Sequence, residues 1–401
     1  MPGGGTVGSR SALRFVLLIG VVSLFADMTY EGARSVTGPY LAVLGASATA
    51  VGIVAGGGEL LGYALRIVSG RLSDVTGRYW PITLTGYVVQ MAAVPALALA
   101  GSWPAAACLI VLERVGKAMR NPPRDAMLAH ATREMGRGWG FGVHEALDQL
   151  GALIGPLVAA AVLAARAQYQ AAFAVLLIPA LLTLAILALA RITYPDPTGL
   201  AARPLDVQTA GLPRELWIYM AATMLVAAGF ADFSLMAFHF QQARTVPADW
   251  VPLFYASAMA ASGLGSLGLG RLFDRAGIVV LVPLTLVSAV FAPLVFLGAP
   301  PAAFVGTLLW GLGMGVHESI MAAAVAGMVP ARRIASAYGL FNLLYGVAWF
   351  LGSAMMGILY DVSLPALVAF SVAVELLAVP LIVLVHRGRV PAAANQGGAR
   401  R

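Results

Sequence analysis

G-R-L-S-D-V-T-G at residues 70–77 returns as G-R-L-F-D-R-A-G at 270–277. Two further pairs keep nearly the same spacing. F-A-D-M-T at 25–29 returns as F-A-D-F-S at 230–234, and F-G-V-H-E-A-L at 141–147 aligns with Y-G-L-F-N-L-L at 338–344. The offsets are 200, 205 and 197, so the register barely drifts across half the chain. A duplication in the same direction implies two halves related by an axis along a membrane normal, with a site where they meet.

What lies between the repeated strings is apolar. Of 401 residues, 60% are hydrophobic and 11% charged, and mean hydropathy is +0.85. A soluble protein carries roughly 25% charged residues, and a fold of this size in water cannot hide so much apolar side chain. This composition excludes a soluble enzyme, a nucleic-acid binder and a disordered protein as readings of the whole chain. Several stretches hold no Asp, Glu, Lys or Arg: 35–58, 81–112, 167–190, 250–270, 276–317 and 334–360. A membrane helix needs about 20 apolar residues, so 276–317 holds two, joined by the turn G-A-P-P at 298–301.

Twelve spans follow, centred near residues 24, 58, 91, 114, 150, 179, 226, 260, 288, 312, 346 and 374. The segment 192–213, rich in Pro, Arg and Asp, reads as a cytoplasmic linker between an N-terminal six-helix bundle, 1–191, and a C-terminal one, 214–401. The first apolar run carries Asp27 and Glu31 and reads as a retained span rather than a signal peptide. With the N-terminus inside, eighteen of the 25 basic residues fall in cytoplasmic segments, two (Arg166 and Arg244) in outer loops and five within spans. That bias places both termini in the cytoplasm and accounts for the net charge of +7 without a polyanionic partner. The single lysine against 24 arginines, with abundant alanine, suggests a GC-rich bacterial genome and thus an inner membrane.

These strings resemble the major facilitator superfamily of secondary transporters over nearly the whole chain. The family's loop between spans 2 and 3, G-x-L-x-D-x-x-G-R-[KR], is matched by Gly70, Leu72, Asp74, Gly77 and Arg78, with Tyr79 in place of the second basic residue. Gly270, Leu272, Asp274, Arg275 and Gly277 form the partner loop between spans 8 and 9. G-A-L-I-G-P at 151–156 resembles the G-x-x-x-G-P element of antiporter members, with Ala159 and Ala160 where a glycine pair usually follows. The resemblance implies an all-α membrane fold of twelve helices in two pseudo-symmetric bundles and a drug-exporter-like antiporter working by alternating access. It implies gating by the two loops, and Gly151, Gly155 and Pro156 as a tightly packed, kinked part of span 5.

The ionisable residues inside the spans are the candidate site. The acids are Asp27, Glu31, Glu59, Glu113, Glu145, Asp148, Asp232, Glu318 and Glu375; the bases are Arg34, Arg66, Arg114, Lys117 and Arg120. At about 2.5 kcal/mol each, fourteen charges facing lipid would cost on the order of 35 kcal/mol, more than any ordinary fold can carry. Most must face a wet cavity, pair, or lie near the interface. Helical spacing groups Asp27 with Glu31, Arg34 with Glu31, Glu113 with Lys117 and Arg120, and His144 with Asp148. Under the 197 offset Arg120 maps to His317, Asn121 to Glu318, Glu145 to Asn342 and Asp148 to Tyr345, so polar positions recur in both halves. Two roles compete for the acids: carrying a proton as the cavity changes exposure, or structural pairs such as Glu31 with Arg34 and Glu113 with Lys117. The histidines have no metal-ligand spacing, and there is no phosphate-cradling Gly-Lys-Ser/Thr loop. No cofactor is implied; the expected partners are the bilayer, a small-molecule substrate and protons, for a chain acting as a monomer. The expected function is proton-coupled efflux of a small organic compound. Symport of a polar or anionic metabolite is the alternative, and a membrane receptor without transport comes third.

Overall fold

The computed structural model describes residues 5–131, 137–195, 212–321, 324–325, 327–329 and 334–389. All regular structure among them is helical and forms twelve rods. Spans 1 to 6 are Gly5–Val43, Ala48–Thr76, Tyr79–Leu99, Trp103–Ala131, Arg137–Arg166 and Tyr169–Thr193. Spans 7 and 8 are Arg214–Gln242 and Val251–Ala276, and span 9 is Leu281–Ser288 with Phe291–Phe296. Span 10 is Pro300–Gly315 running into a π turn, Val316–Met321; spans 11 and 12 are Ile334–Val362 and Leu364–Arg389. Of the expected linker, 196–211 lies outside the described residues.

Nine stretches among the described residues are long and apolar enough to cross a membrane, one of which, Val251–Phe296, holds spans 8 and 9 together. Span 4 carries Glu113, Arg114, Lys117 and Arg120 within about two turns, which a lipid-facing helix could not. It is tolerated because those side chains point into the protein. The outward faces of the rods are apolar, with Ile178, Leu181, Leu189, Leu351 and Leu377 exposed. The chain is an integral membrane protein.

The packing repeats as the sequence does. In the first half, span 1 packs on 5 and 6, span 2 on 4, and span 3 on 4 and 6. In the second, span 7 packs on 11 and 12, span 8 on 10, and span 9 on 10 and 12. Adding six to each number turns the first set into the second. The halves meet through spans 1 with 7, 2 with 11 and 5 with 8. The same operation exchanges the 2–11 and 8–5 contacts and returns 1–7 to itself, as a twofold axis requires.

The repeated loops end their helices alike. Gly77 and Gly277 follow spans 2 and 8 at φ 66° and 69°, where a side chain would be strained, and each donates its N–H back to the helix, to Ser73 O and Phe273 O. The repeated F-A-D strings do not behave alike. Span 1 runs unbroken through 25–29, whereas span 7 ends at Gly229 and restarts at Phe233. Asp232 caps the restart by accepting from Ser234 N at 2.8 Å, and Trp310 Nε1 donates to Ala231 O at 2.8 Å, so the freed backbone groups find partners inside the bundle.

Candidate functional site

A cavity of about 320 Å³ lies midway along the rods, between the halves. Tyr30, Glu31, Arg34, Glu59, Tyr63, Arg66, Arg114 and Lys117 line it from spans 1, 2 and 4, and Met314, His317, Phe341, Asn342, Tyr345 and Trp349 from spans 10 and 11. The first half thus contributes charge and the second mostly aromatic surface.

The charges pair across spans. Arg34 in span 1 reaches Asp232 in span 7 at 3.2 Å and Glu59 in span 2 at 3.7 Å. Arg114 reaches Glu59 at 2.7 Å and Glu113 at 3.5 Å, and also donates to the Tyr30 hydroxyl. Glu31 accepts from the Tyr255 hydroxyl of span 8 at 2.5 Å. Lys117 stands over the Tyr30 ring, its Nζ 3.4 Å from the centroid. The local pairs expected from helical spacing, Glu31 with Arg34 and Glu113 with Lys117, do not form. Each of these groups takes another partner instead: Glu31 the Tyr255 hydroxyl, Arg34 the Asp232 and Glu59 carboxylates, Glu113 the adjacent Arg114 and Gln90, and Lys117 the Tyr30 ring.

Of the sixteen expected cavity residues, Glu31, Arg34, Glu59, Arg114, Lys117, His317, Asn342 and Tyr345 line the cavity. Others lie behind its wall. Arg120 is fully buried, donating to Gln90 at 2.5 Å, to the Tyr87 hydroxyl at 2.9 Å and to Asp27 at 3.4 Å, while Gln90 donates to Glu113 at 3.0 Å. His144 shares a 2.9 Å hydrogen bond with Ser23, which also accepts from Arg124 at 3.1 Å. Asp148 has one carboxylate oxygen buried without a partner. Glu145 is exposed and accepts from Gln149 at 3.0 Å, so it does not face the cavity. The side chain of Glu318 lies outside the described residues. Tyr30, Tyr255 and Met314 were not anticipated. Tyr30 could have been found, since it lies three residues from Asp27 and four from Arg34 on one face of span 1.

In the first repeated loop Asp74 accepts from the Tyr79 hydroxyl at 3.2 Å. The residue that departs from the family's basic position therefore donates to the acid itself. Span 5 packs on span 1 backbone to backbone. A side chain on Gly151 would strike the Leu24 carbonyl, and one on Gly155 the Met28 carbonyl and Gly32 N.

Among the described residues, closure is one-ended. Near the loop 44–47, a side chain on Gly52 would strike the Ser353 carbonyl, and Asp361 of span 11 accepts from Ala48 N, Thr49 N and the Thr49 hydroxyl at 3.2, 2.9 and 2.6 Å. Toward the 70–77 loop, positions 62 and 339 face open space.

A family model described as Major Facilitator Superfamily matches residues 17–398. An uncharacterized protein of Mycobacterium tuberculosis is 41% identical over 394 residues, covering 96% of this chain and 96% of its own. Among solved structures, a POT family transporter in complex with 5-aminolevulinic acid matches with a TM-score of 0.75 at 13% identity, over 93% of this chain and 96% of that one. The nucleoside transporter NupG matches with a TM-score of 0.68 at 16% identity, over 93% and 98%. Likenesses at such identity concern the fold. With the family model spanning both repeats and a relative matched nearly end to end, the chain belongs to the major facilitator superfamily.

Proposed function

We propose that the protein is a proton-coupled secondary transporter exporting a small organic compound by alternating access, from a bacterial inner membrane with both termini in the cytoplasm. The two halves would be 1–191 and 214–401, joined by 192–213. In that orientation the closed end is the outer one and the cavity opens inward. The observation that carries the reading is the cavity's position: ionisable groups from one half face aromatic groups from the other, and among the described residues one end of the interface between them is sealed and the other is not.

Glu31 is the acid best placed to couple protons to movement. It lines the cavity, and its bond to Tyr255 crosses from one half to the other, so changing its charge acts on the interface that must open. Asp27 and Asp148 lie behind it as further carriers. The bond from Tyr79 to Asp74 and the matching 270–277 loop act at the inner end, as gates rather than binding groups. The backbone packing of spans 1 and 5 resists leak and so favours exchange, in keeping with the antiporter-like string at 151–156 and a drug-exporter-like branch.

Proteoliposomes with an imposed pH gradient and a lumenal pH-sensitive dye test this on a library of organic compounds. Compound leaving as protons move the other way supports export. Movement in the same direction supports the symport alternative, which the cationic wall of the cavity favours, and no flux with any compound rejects transport. Glu31→Gln is expected to abolish the dependence on the pH gradient; an unchanged dependence removes Glu31 from the proton path.

A further inference from the structure

We infer that the cavity takes an organic anion with a flat apolar body, its negative group held by Lys117 and Arg66 and its body against the rings of span 11. This rests on reading the cavity as the substrate site. The pairing already described occupies Arg34 and Arg114. Two cations on the same wall are not paired with any carboxylate among the described residues. Lys117 stands over the face of Tyr30, and the Arg66 guanidinium lies 5.3 Å from the centre of the Tyr63 ring, its Nε buried without an acceptor. An aromatic face offsets part of the cost of burying a cation but satisfies none of its N–H donors.

A third unpartnered donor belongs to a residue on the cavity wall. Trp349 Nε1 is also buried without an acceptor. Its ring continues a strip on span 11 in which Phe341, Tyr345 and Trp349 follow at one-turn spacing, with ring centres 5.7 and 5.8 Å apart. The acids on the wall do not call for a cation in return. Glu59 is held by two arginines and Glu31 by the Tyr255 hydroxyl. Among the described residues the cavity therefore holds more donors than acceptors and more positive than negative charge, beside an aromatic strip. A carboxylate, sulfonate or phosphate on a flat ring answers the two cations and covers the strip. At about 320 Å³ the space is at the small end for ligand pockets, so one or two rings fit.

Three probes of one shape and different charge decide the matter: benzoate, benzamide and benzylamine, at matched ionic strength with chloride as the control anion. Thermal unfolding of the purified protein is followed as each is titrated at millimolar concentration. Benzoate is expected to raise the midpoint where the other two and chloride do not. Arg66→Gln and Lys117→Gln should each weaken the benzoate response at least about tenfold, the value of a charge-assisted bond. Trp349→Phe, which keeps a ring and removes the donor, should weaken it less. Benzylamine or benzamide stabilising as well as benzoate, chloride reproducing the benzoate shift, or charge variants binding benzoate like the parent would each overturn the inference. The two levels of failure separate: a Trp349-dependent response to the wrong probe rejects the anion alone, whereas no response to any probe rejects the cavity as the substrate site.

Discussion

Replacing Asp361 with alanine should tip the transporter toward opening at the sealed end. Asp361 sits at the end of span 11 and accepts from Ala48 N, Thr49 N and the Thr49 hydroxyl, all at the start of span 2 in the other half. Ser47 already caps that helix by accepting from Ala50 N at 3.1 Å. The helix end is therefore capped from both halves, and its second cap exists only while the halves touch. Losing a cap costs about 0.5–2 kcal/mol. Asp361 is exposed, so we take about 1 kcal/mol, toward the lower end of that range. Because the bond is present in one state and absent in the other, the whole amount enters the equilibrium between them. That corresponds to a shift of about fivefold.

Thr37 provides the reporter. It is buried, 8% exposed, on span 1 between the cavity and the sealed end. In a Cys108→Ser background, Thr37→Cys should react with a maleimide about five times faster when Asp361→Ala is added. Asp361→Asn, which keeps an acceptor, should fall between. Equal labelling rates in the parent and Asp361→Ala, with both proteins folded, would show that the contact closes nothing.

Two other substitutions probe the interior, Arg34→Gln where the halves meet and Gly155→Leu within the first half. Arg34→Gln leaves Asp232 and Glu59 buried without their shared cation and should cost about 3–5 kcal/mol in thermal unfolding. Adding Asp232→Asn should restore much of it, since Asn still caps span 7; a double variant no better than the single would mean that the pair is not coupled. Gly155→Leu should cost about 1–3 kcal/mol or prevent folding, because the new side chain meets the Met28 carbonyl; an unchanged midpoint with coupled transport intact would reject close packing of spans 1 and 5.

The rods and their duplication are legible in the sequence because both depend on local pattern: uncharged runs of membrane length, and strings repeating near a 200-residue offset. Gly151 and Gly155 are legible as close-packing positions, although their partner, span 1, is not. The charge partners are the part that fails. Glu31 and Arg34 are three residues apart, yet each bonds across to the other half, through Tyr255 and Asp232. Spacing along a helix lists neighbours on that helix; it cannot rank them against a group on another span. Asp27 and Asp232 occupy matching strings yet differ, one bonded to Arg120 behind the cavity and the other capping a break in span 7. The break depends on Trp310 and Arg34 being present to satisfy what it exposes, and neither is near it in sequence.

The choice of contacts across the interface suits a machine that must come apart. Apolar packing sealed along its whole length would bury area that reopening must return to water. A buried ion pair behaves differently: the cost of removing both charges from water cancels much of their attraction, so its net contribution is small while its geometric demand is high. Arg34–Asp232 and Tyr255–Glu31 cross between the halves at the depth of the cavity, where both sets of groups can be rehydrated when it opens. They fix the register of the closed state without making it much more stable than the open one. A carrier needs two states of similar free energy, since a ligand or a proton can shift an equilibrium only by its own difference in affinity. On that reasoning, Arg34→Met with Asp232→Asn, which removes the ion pair and keeps the cap of span 7, would give a protein close to the parent in stability and slower to cycle.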